Sequence, residues 1–397
     1  MVEVNQDLQA RSKELRRRLT AVGFDDVRFT SVTALTETRL RNWLAEGMQA
    51  DMAWIERTAD KRLDPKLVLP EARSVIMLGI NYWSSAFTRE SKSSSTPTWA
   101  RYALHQDYHD TVKEGLVAAG KVIEELFGVA DSDYRYYVDT GPVLERAWAV
   151  RAGLGFQGKN GMLISRRFGN WLFLAAILAK IELVQDEPVS QRAATGEVGA
   201  LCGKCTRCMD ACPTDALPRP GVVDARRCIS YQTIENKGVI PREFRDAIGD
   251  RIYGCDVCLE VCPWNRFAQE GRRVLLSLRG EIAQLKLDEL LRLRPESFAR
   301  IFKGTAIKRI KLAGILRNAC IVAGNSEDKS LLPSLAMLSA HALAVVRVHA
   351  VWAVFKLVGT LEAKQLLAEV RAGETDSAVL EEYEWWECYS VSGPAQN

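Results

Sequence analysis

The sequence predicts an α+β protein of several domains: an α/β region, a compact cysteine-rich module and a C-terminal stack of helices. Three observations carry this. The chain has 397 residues, more than one ordinary hydrophobic core serves. Strand-like and helix-like stretches alternate up to about residue 195. Eight of the ten cysteines then fall between Cys202 and Cys262, and beyond residue 268 the strand patterns vanish. The predicted domains are 1–195, 196–268 and 269–397. A hydrophobic content of 47% and a charged content of 26% are those of a folded globular protein.

The opening MVEVNQDLQARSKELRRRL is a charged amphipathic helix, not a signal peptide. EARSVIMLGINYW, Glu71 to Trp83, is apolar and β-rich, hence a strand. The Ser-rich SSAFTRESKSSSTP, Ser84 to Pro97, reads as a mobile loop. Tyr108 to Phe127 has helical spacing, and DYRYYVDT ends a strand at Asp139. PVLERAWAVRAG is a helix with Pro142 in its first turn and Gly153 as its stop. WLFLAAILA, Trp171 to Ala179, is a buried strand and too short to cross a membrane. Among the later segments, GILRNACIVAGN (Gly314 to Asn325) and VRVHAVWAVFKLVG (Val346 to Gly359) look alike. Their arginines, Arg317 and Arg347, stand thirty residues apart, which points to a HEAT-like α-solenoid. Cys320 and Cys388, alone in helical segments, are expected to be buried core thiols.

Nothing in this pattern calls for a membrane or for export, so a cytoplasmic location is expected. Thiols stay reduced there, so ten cysteines point to metal rather than to disulfides. A net charge of +3 gives no overall basic field, and a nucleic-acid surface would have to be a local patch. Lys303, Lys308, Arg309, Lys311 and Arg317 form such a basic run, with no acid between them.

The cysteine passage CGKCTRCMDACP has the spacing C-x2-C-x2-C-x3-C-P, from Cys202 to Pro213. This is the bacterial ferredoxin spacing for [4Fe–4S] clusters. Short gaps let three thiolates of one loop meet one cubane, while the fourth cysteine turns to a neighbouring cluster. CDVCLEVCP, Cys255 to Pro263, repeats the pattern without its first cysteine, and Cys228 upstream completes the set. The expected ligands cross over: Cys202, Cys205, Cys208 and Cys262 for cluster one, and Cys212, Cys228, Cys255 and Cys258 for cluster two. Zinc also uses C-x2-C pairs, but it has no need of two C-x3-C-P endings. Two clusters make a ferredoxin-like electron conduit. The roughly three hundred residues outside the module exceed what a mere carrier needs.

Five stretches then point one way: KRLDP (Lys61 to Pro65), RYALHQDYH (Arg101 to His109), VDTGPVLERAWAVRAGLGFQGKN (Val138 to Asn160), CISYQTIENKG (Cys228 to Gly238) and YGCDVCLEVCPWN (Tyr253 to Asn265). Together with the domain order they closely resemble the epoxyqueuosine reductase family. The resemblance implies a cobalamin-dependent iron–sulfur oxidoreductase with an α/β corrinoid-binding domain. It further implies the last step of queuosine synthesis on tRNA, removal of the epoxide oxygen from the modified wobble base. The core of that family is related to the reductive dehalogenases. Asp107-Tyr108-His109 gives the D-x-H of many corrinoid proteins, but Val112 stands where their motif has glycine. The family holds its corrinoid without a histidine ligand.

By the same resemblance Asp139, in VDTG, is the catalytic acid and also touches the cofactor. A carboxyl just ahead of a helix is drawn toward its anion, and desolvation under a corrin and a flat base works in the opposite sense. Arg62, Ala100, Arg101, Lys159 and Asn160 fall where the family contacts cobalamin. Gly153, Gly155, Gly158 and Gly161 let that loop approach a planar ligand. Ser230, Gln232, Cys255 and Asp256 are expected at the corrin too. Lys237, Lys308, Arg309, Lys311 and Arg317 are the expected tRNA contacts. An external low-potential donor would feed the first cluster, the first the second, and the second cobalt. The chain would work as a monomer. A corrinoid reductase of another substrate, an electron-transfer module and an RNA-binding scaffold are the rival readings.

Overall fold

The computed structural model describes residues 2–35, 38–87 and 96–392. The chain packs as two units, each assembled from three segments. The first comprises Met1–Thr88, His105–Arg226 and Asp256–Leu278, the second Arg89–Leu104, Arg227–Cys255 and Arg279–Asn397. These units differ from the three consecutive blocks read from the motifs, because the cysteine region divides between them. Its middle stretch, 227–255, carries the strand Arg251–Tyr253, which pairs in parallel with Thr98–Trp99 inside the second unit. Most of the Ser-rich loop, residues 88–95, lies outside the described residues.

The first unit is built on an antiparallel sheet of β1 (Asp26–Ser31), β2 (Ser74–Asn81), β3 (Tyr134–Val138) and β4 (Leu172–Ala179). The strand order is β1-β2-β4-β3, which sets the two most apolar strands at the centre. Every residue of β2 is buried, so both faces of the sheet are covered. Its helices include α1 (Val2–Val22), α2 (Ala59–Leu63), α3 (Tyr108–Phe127) and α4 (Glu145–Arg151). Val75 and Met77 of β2, with Ala176 and Leu178 of β4, share one core with Trp148, Ala149 and Ala152 at α4. Phe173, on the alternate face of β4, stacks on Tyr108 of α3. Helix α1 packs on both α3 and β1.

Helix α4 begins at Glu145, not near Pro142 as the sequence suggests. A tight turn at Asp139 occupies the interval. Gly153 stops the helix as expected, with φ 77°.

The second unit is dominated by α5 (Lys311–Asn325), α6 (Leu332–Ser339), α7 (Ala344–Leu366) and α8 (Ser377–Ser392). Helices α5, α6 and α8 all pack on α7. By length and composition α7 could cross a membrane, but Val348–Phe355 is buried inside the unit and Gly359 breaks the helix at φ 77°. It is a core helix. Cys320 is fully buried in α5, whereas Cys388 is exposed, against expectation. Nine residues, about 900° of turn, separate Cys388 from the buried Val379, which puts it on the opposite face of α8.

Candidate active site and cluster cavity

Strand β3 ends at Val138 and delivers the chain to Asp139. This residue has φ 57°, the left-handed region that side chains other than Asn and Asp rarely adopt. The N–H of Thr140 donates to the Val138 carbonyl at 2.6 Å and closes the turn. Gly141 makes the fold-back possible, since a Cβ there would collide with the ring of Tyr137. The Asp139 side chain is left 57% exposed.

Two side chains at the start of α3 reach Asp139. The Tyr108 hydroxyl donates to its Oδ2 at 2.6 Å. Nε2 of His109 lies 3.4 Å from the same oxygen, an ion-pair distance rather than a well-directed hydrogen bond. Asp107 caps α3 by accepting the His109 backbone N–H at 3.1 Å, and the same oxygen stands 2.7 Å from Nδ1. Burial alone would lower the imidazolium's pKa, but hydrogen bonds and charge from Asp107 and Asp139 outweigh it and raise it to about 9. The ring is therefore a cation at neutral pH, set between two carboxylate side chains.

Arg62 of α2 ties down the chain after the turn, donating to the Val143 carbonyl at 3.2 Å and to Thr58 Oγ1 at 2.9 Å. Glu145 opens α4. Its Oε1 is buried and has no hydrogen-bond partner among the described residues. Burial pushes this carboxyl up to about 8; its own backbone N–H opposes the rise, Asp139 adds to it, and Arg62 and Arg146 oppose it. Arg146 donates to the Gly161 carbonyl at 2.7 Å, joining α4 to the glycine-rich loop.

A cavity of about 170 Å³ in the same unit is lined by Cys202, Cys205, Cys208 and Cys262, with Ile164, Pro263 and Trp264 as apolar wall. Cys202 and Cys262 pack against the core beneath α4. Burial raises the pKa of Cys202 and pushes the Cys208 thiol up to about 11, and neighbouring cysteines add to both shifts. Thiols raised as Cys202 and Cys208 are stay protonated at neutral pH until a cation binds them, and four cysteines lining one cavity are the ligand number of an iron–sulfur site. Lys159 lines the cavity and donates to the carbonyls of Gly203 (2.8 Å) and Cys205 (3.0 Å). Asn160 is buried and donates to Asn170 Oδ1 (3.0 Å) and the Cys258 carbonyl (3.3 Å). Both were expected at the corrin; the bonds they make here are to the cysteine loops and to Asn170.

Cys212, Cys258 and Asp256 also belong to the first unit, and Cys228 and Cys255 to the second. Sγ of Cys212 accepts the Ala216 N–H at 3.2 Å. In the second unit Cys228 immediately precedes the helix Ile229–Ile234, which carries the half-buried Ser230 and the buried Gln232. Ala100 and Arg101 are buried, and the Ala100 N–H donates to Tyr253 O at 2.8 Å.

Lys237, Lys308, Arg309 and Lys311 are exposed on the second unit, and Arg309 pairs with Glu235 at 2.9 Å. Arg317 is a correction. It is 1% exposed, and its guanidinium donates to the carbonyls of Gln232 (2.9 Å), Asn236 (2.7 Å) and Gly238 (2.9 Å). Six helical residues beyond Lys311 amount to about 240° of rotation, which turns this arginine away from the surface. Asn318 beside it donates to the Thr233 and Ile252 carbonyls at 2.8 Å.

Residues 201–265, which hold all eight motif cysteines, match the family model of the 4Fe-4S double cluster binding domain. Residues 62–140 match the model described as epoxyqueuosine reductase QueG, DUF1730. The epoxyqueuosine reductase of Synechocystis sp. is 42% identical over 283 residues, 71% of this chain and 93% of that protein. The chain belongs to the epoxyqueuosine reductase family. Its relative in Escherichia coli is 36% identical over 83% of this chain and 85% of its own. A crystal structure of an epoxyqueuosine reductase with an epoxyqueuosine-modified tRNA-Tyr stem loop superposes with a TM-score of 0.84 at 30% identity. That likeness covers 94% of this chain and 98% of the other.

Within this family framework, sequence reasoning missed Tyr108, His109 and Glu145. In the sequence His109 reads only as a possible ligand to cobalt, and Val112 in the place of glycine argues against that. Its actual neighbours, an aspartate two residues before it and another thirty residues on, could be joined only by the fold. Glu145 had a faint signal, an acid at the first position of a helix, where capping is the ordinary explanation.

Proposed function

We propose that this chain reduces epoxyqueuosine in tRNA to queuosine. The overall change is epoxide plus two electrons plus two protons giving alkene plus water. The observation that carries the reading is the Asp139 turn. The family match at 62–140 runs from Arg62, which ties the turn down, to the exposed carboxyl itself. Asp139 would protonate the alkoxide left when the epoxide opens. Aspartate is one of the few side chains that tolerate φ 57°, so the turn can present a carboxyl here where most residues would not fit.

Cys202, Cys205, Cys208 and Cys262 would hold one [4Fe–4S] cluster, and Cys212, Cys228, Cys255 and Cys258 the other. When bound, the clusters supply one-electron relays fed by an external low-potential donor. Cobalamin, when bound, supplies a low-valent cobalt as the electron source at the substrate. Arg62, Ala100, Arg101, Asp139, Ser230, Gln232, Cys255 and Asp256 are the residues proposed to contact it. Two features fit that assignment. The Asp139 carboxyl is open on one side, and both nitrogens of His109 already face carboxylates, in keeping with a corrinoid held without a histidine ligand. Lys159 and Asn160 would act from the cluster side.

The helices of the second unit would form the HEAT-like tRNA-contacting part, with Lys237, Lys308, Arg309 and Lys311 against phosphates. The modified base would leave its stack to reach Asp139. The enzyme would act as a cytoplasmic monomer. The test is turnover by protein reconstituted anaerobically with iron, sulfide and cobalamin, given a low-potential reductant and tRNA bearing epoxyqueuosine. Mass spectrometry of the nucleosides should show cobalamin-dependent loss of one oxygen. No loss with clusters and cobalt demonstrably reduced would move the assignment to an electron-transfer module or to another substrate.

A further inference from the structure

The reaction consumes two protons per turnover, and one carboxyl carries one. Asp139 must therefore be reloaded within the catalytic cycle. It is flanked by a second ionisable group. His109 presents Nε2 to Asp139 Oδ2 at 3.4 Å, while its other nitrogen is held by Asp107 at 2.7 Å. The ring is stacked on Tyr108, whose hydroxyl shares Oδ2 at 2.6 Å and whose own ring lies against Phe173. The imidazole thus has a fixed plane, a fixed partner behind it and the acid in front.

We propose that His109 is the proton store of this site, passing its Nε2 proton to Asp139 while Asp107 holds the ring in register. The inference rests on the reading of Asp139 as the acid. Each transfer balances. Imidazolium and carboxylate become imidazole and carboxylic acid. The acid then gives that proton first to the alkoxide and, on a second pass, to the departing hydroxide, which leaves as water. The two electrons come from the low-potential donor of the proposed reaction. Solvent returns the proton to the ring. His109 touches no substrate atom and acts through Asp139, so it is a positioning and reloading residue.

The groups facing the ring are Asp107, Asp139 and the Tyr108 hydroxyl that shares Asp139. Glu145 and Arg146 lie within electrostatic reach of Asp139, and Arg62 within reach of Glu145. The store is full below the imidazolium's pKa of about 9 and empties above it. Asp107→Asn keeps the helix cap, because asparagine caps as well as aspartate, and removes only the charge.

The experiment is a pH profile of kcat on an epoxyqueuosine stem loop, from pH 6 to 10, for the reconstituted wild type, His109→Gln, Asp107→Asn and Asp139→Asn. Stem-loop affinity is measured alongside. Wild type should lose kcat above about pH 9. His109→Gln should be slower by about 100-fold and lack that limb, with affinity unchanged. Asp107→Asn should keep the limb but move it down by about 1–2 pH units. A wild-type limb in His109→Gln, or an unmoved limb in Asp107→Asn, overturns the proposal. If His109→Gln does not fold, the position of the limb in Asp107→Asn decides alone. Full activity in Asp139→Asn would sink the acid assignment and the store with it. A slow Asp139→Asn beside a normal His109→Gln would sink the store only.

Discussion

The cluster cavity and the Asp139 turn share one folding unit but are held in opposite ways. The cavity's sulfurs sit on short loops anchored to the sheet core, and Lys159 fastens two of its carbonyls. The turn projects an exposed carboxyl from a left-handed backbone position and fixes it with a hydroxyl and a ring. The difference follows from what each handles. Electron transfer benefits from ligands held rigidly, and the four cysteines here are half-buried on anchored loops. The proton donor proposed at the turn would have to meet a substrate that comes and goes, which suits an open carboxyl placed by its neighbours rather than by burial.

The comparison breaks most severely at the cavity. Cys208→Ala should remove a ligand that no neighbour replaces. Iron content should fall from about eight to about four per chain, and turnover should be abolished. Full iron content in that variant would refute the ligand assignment. At the turn the loss should be graded. Asp139→Asn should lower kcat by about 10²–10⁴-fold while iron content and stem-loop binding persist. Concurrent loss of iron would mean that the turn is structural.

Arg317→Ala tests the buried side of the basic run. Three carbonyls lose their donor, which should cost about 3 kcal/mol or more and lower the thermal midpoint by about 10 °C. Glu145→Gln asks whether the acid beneath the turn is neutral. Its folded pKa, about 8, lies above its ordinary value, so the fold loses stability as pH rises from about 4.5 to about 8. The glutamine variant should melt higher than wild type at pH 8.5 and equally at pH 5. Equal melting at both would show the carboxyl to be solvated. The smallest effect belongs to the exposed lysines. Lys308→Ala and Lys311→Ala should leave the midpoint unchanged, weaken stem-loop binding a few-fold, and reduce its salt dependence by about one counterion each.

Much of this was legible in the sequence, for identifiable reasons. Cysteine spacing is a local signal, and so are the apolar runs of β2 and β4 and the span of α3, which begins and ends where its periodicity says. Arg317 was misread because charge along a chain does not say which side of a helix it occupies. The start of α4 was misplaced because proline tolerates both a first helical turn and the loop before one, and the turn at Asp139 took the second option. Asp107, His109 and Asp139 were all in view, but nothing short of the packing of α3 against β3 joins them.

Lys159 has a consequence in electrochemical terms. An ammonium fixed on the wall of the cavity favours whichever oxidation state beside it is more negative, and for an iron–sulfur cubane that is the reduced one. The side chain that staples the loop would therefore also raise the reduction potential of a cluster bound in this cavity. A cubane bound here would fill with an electron more readily than it would without Lys159, and the chain could then hold charge in waiting before substrate arrives.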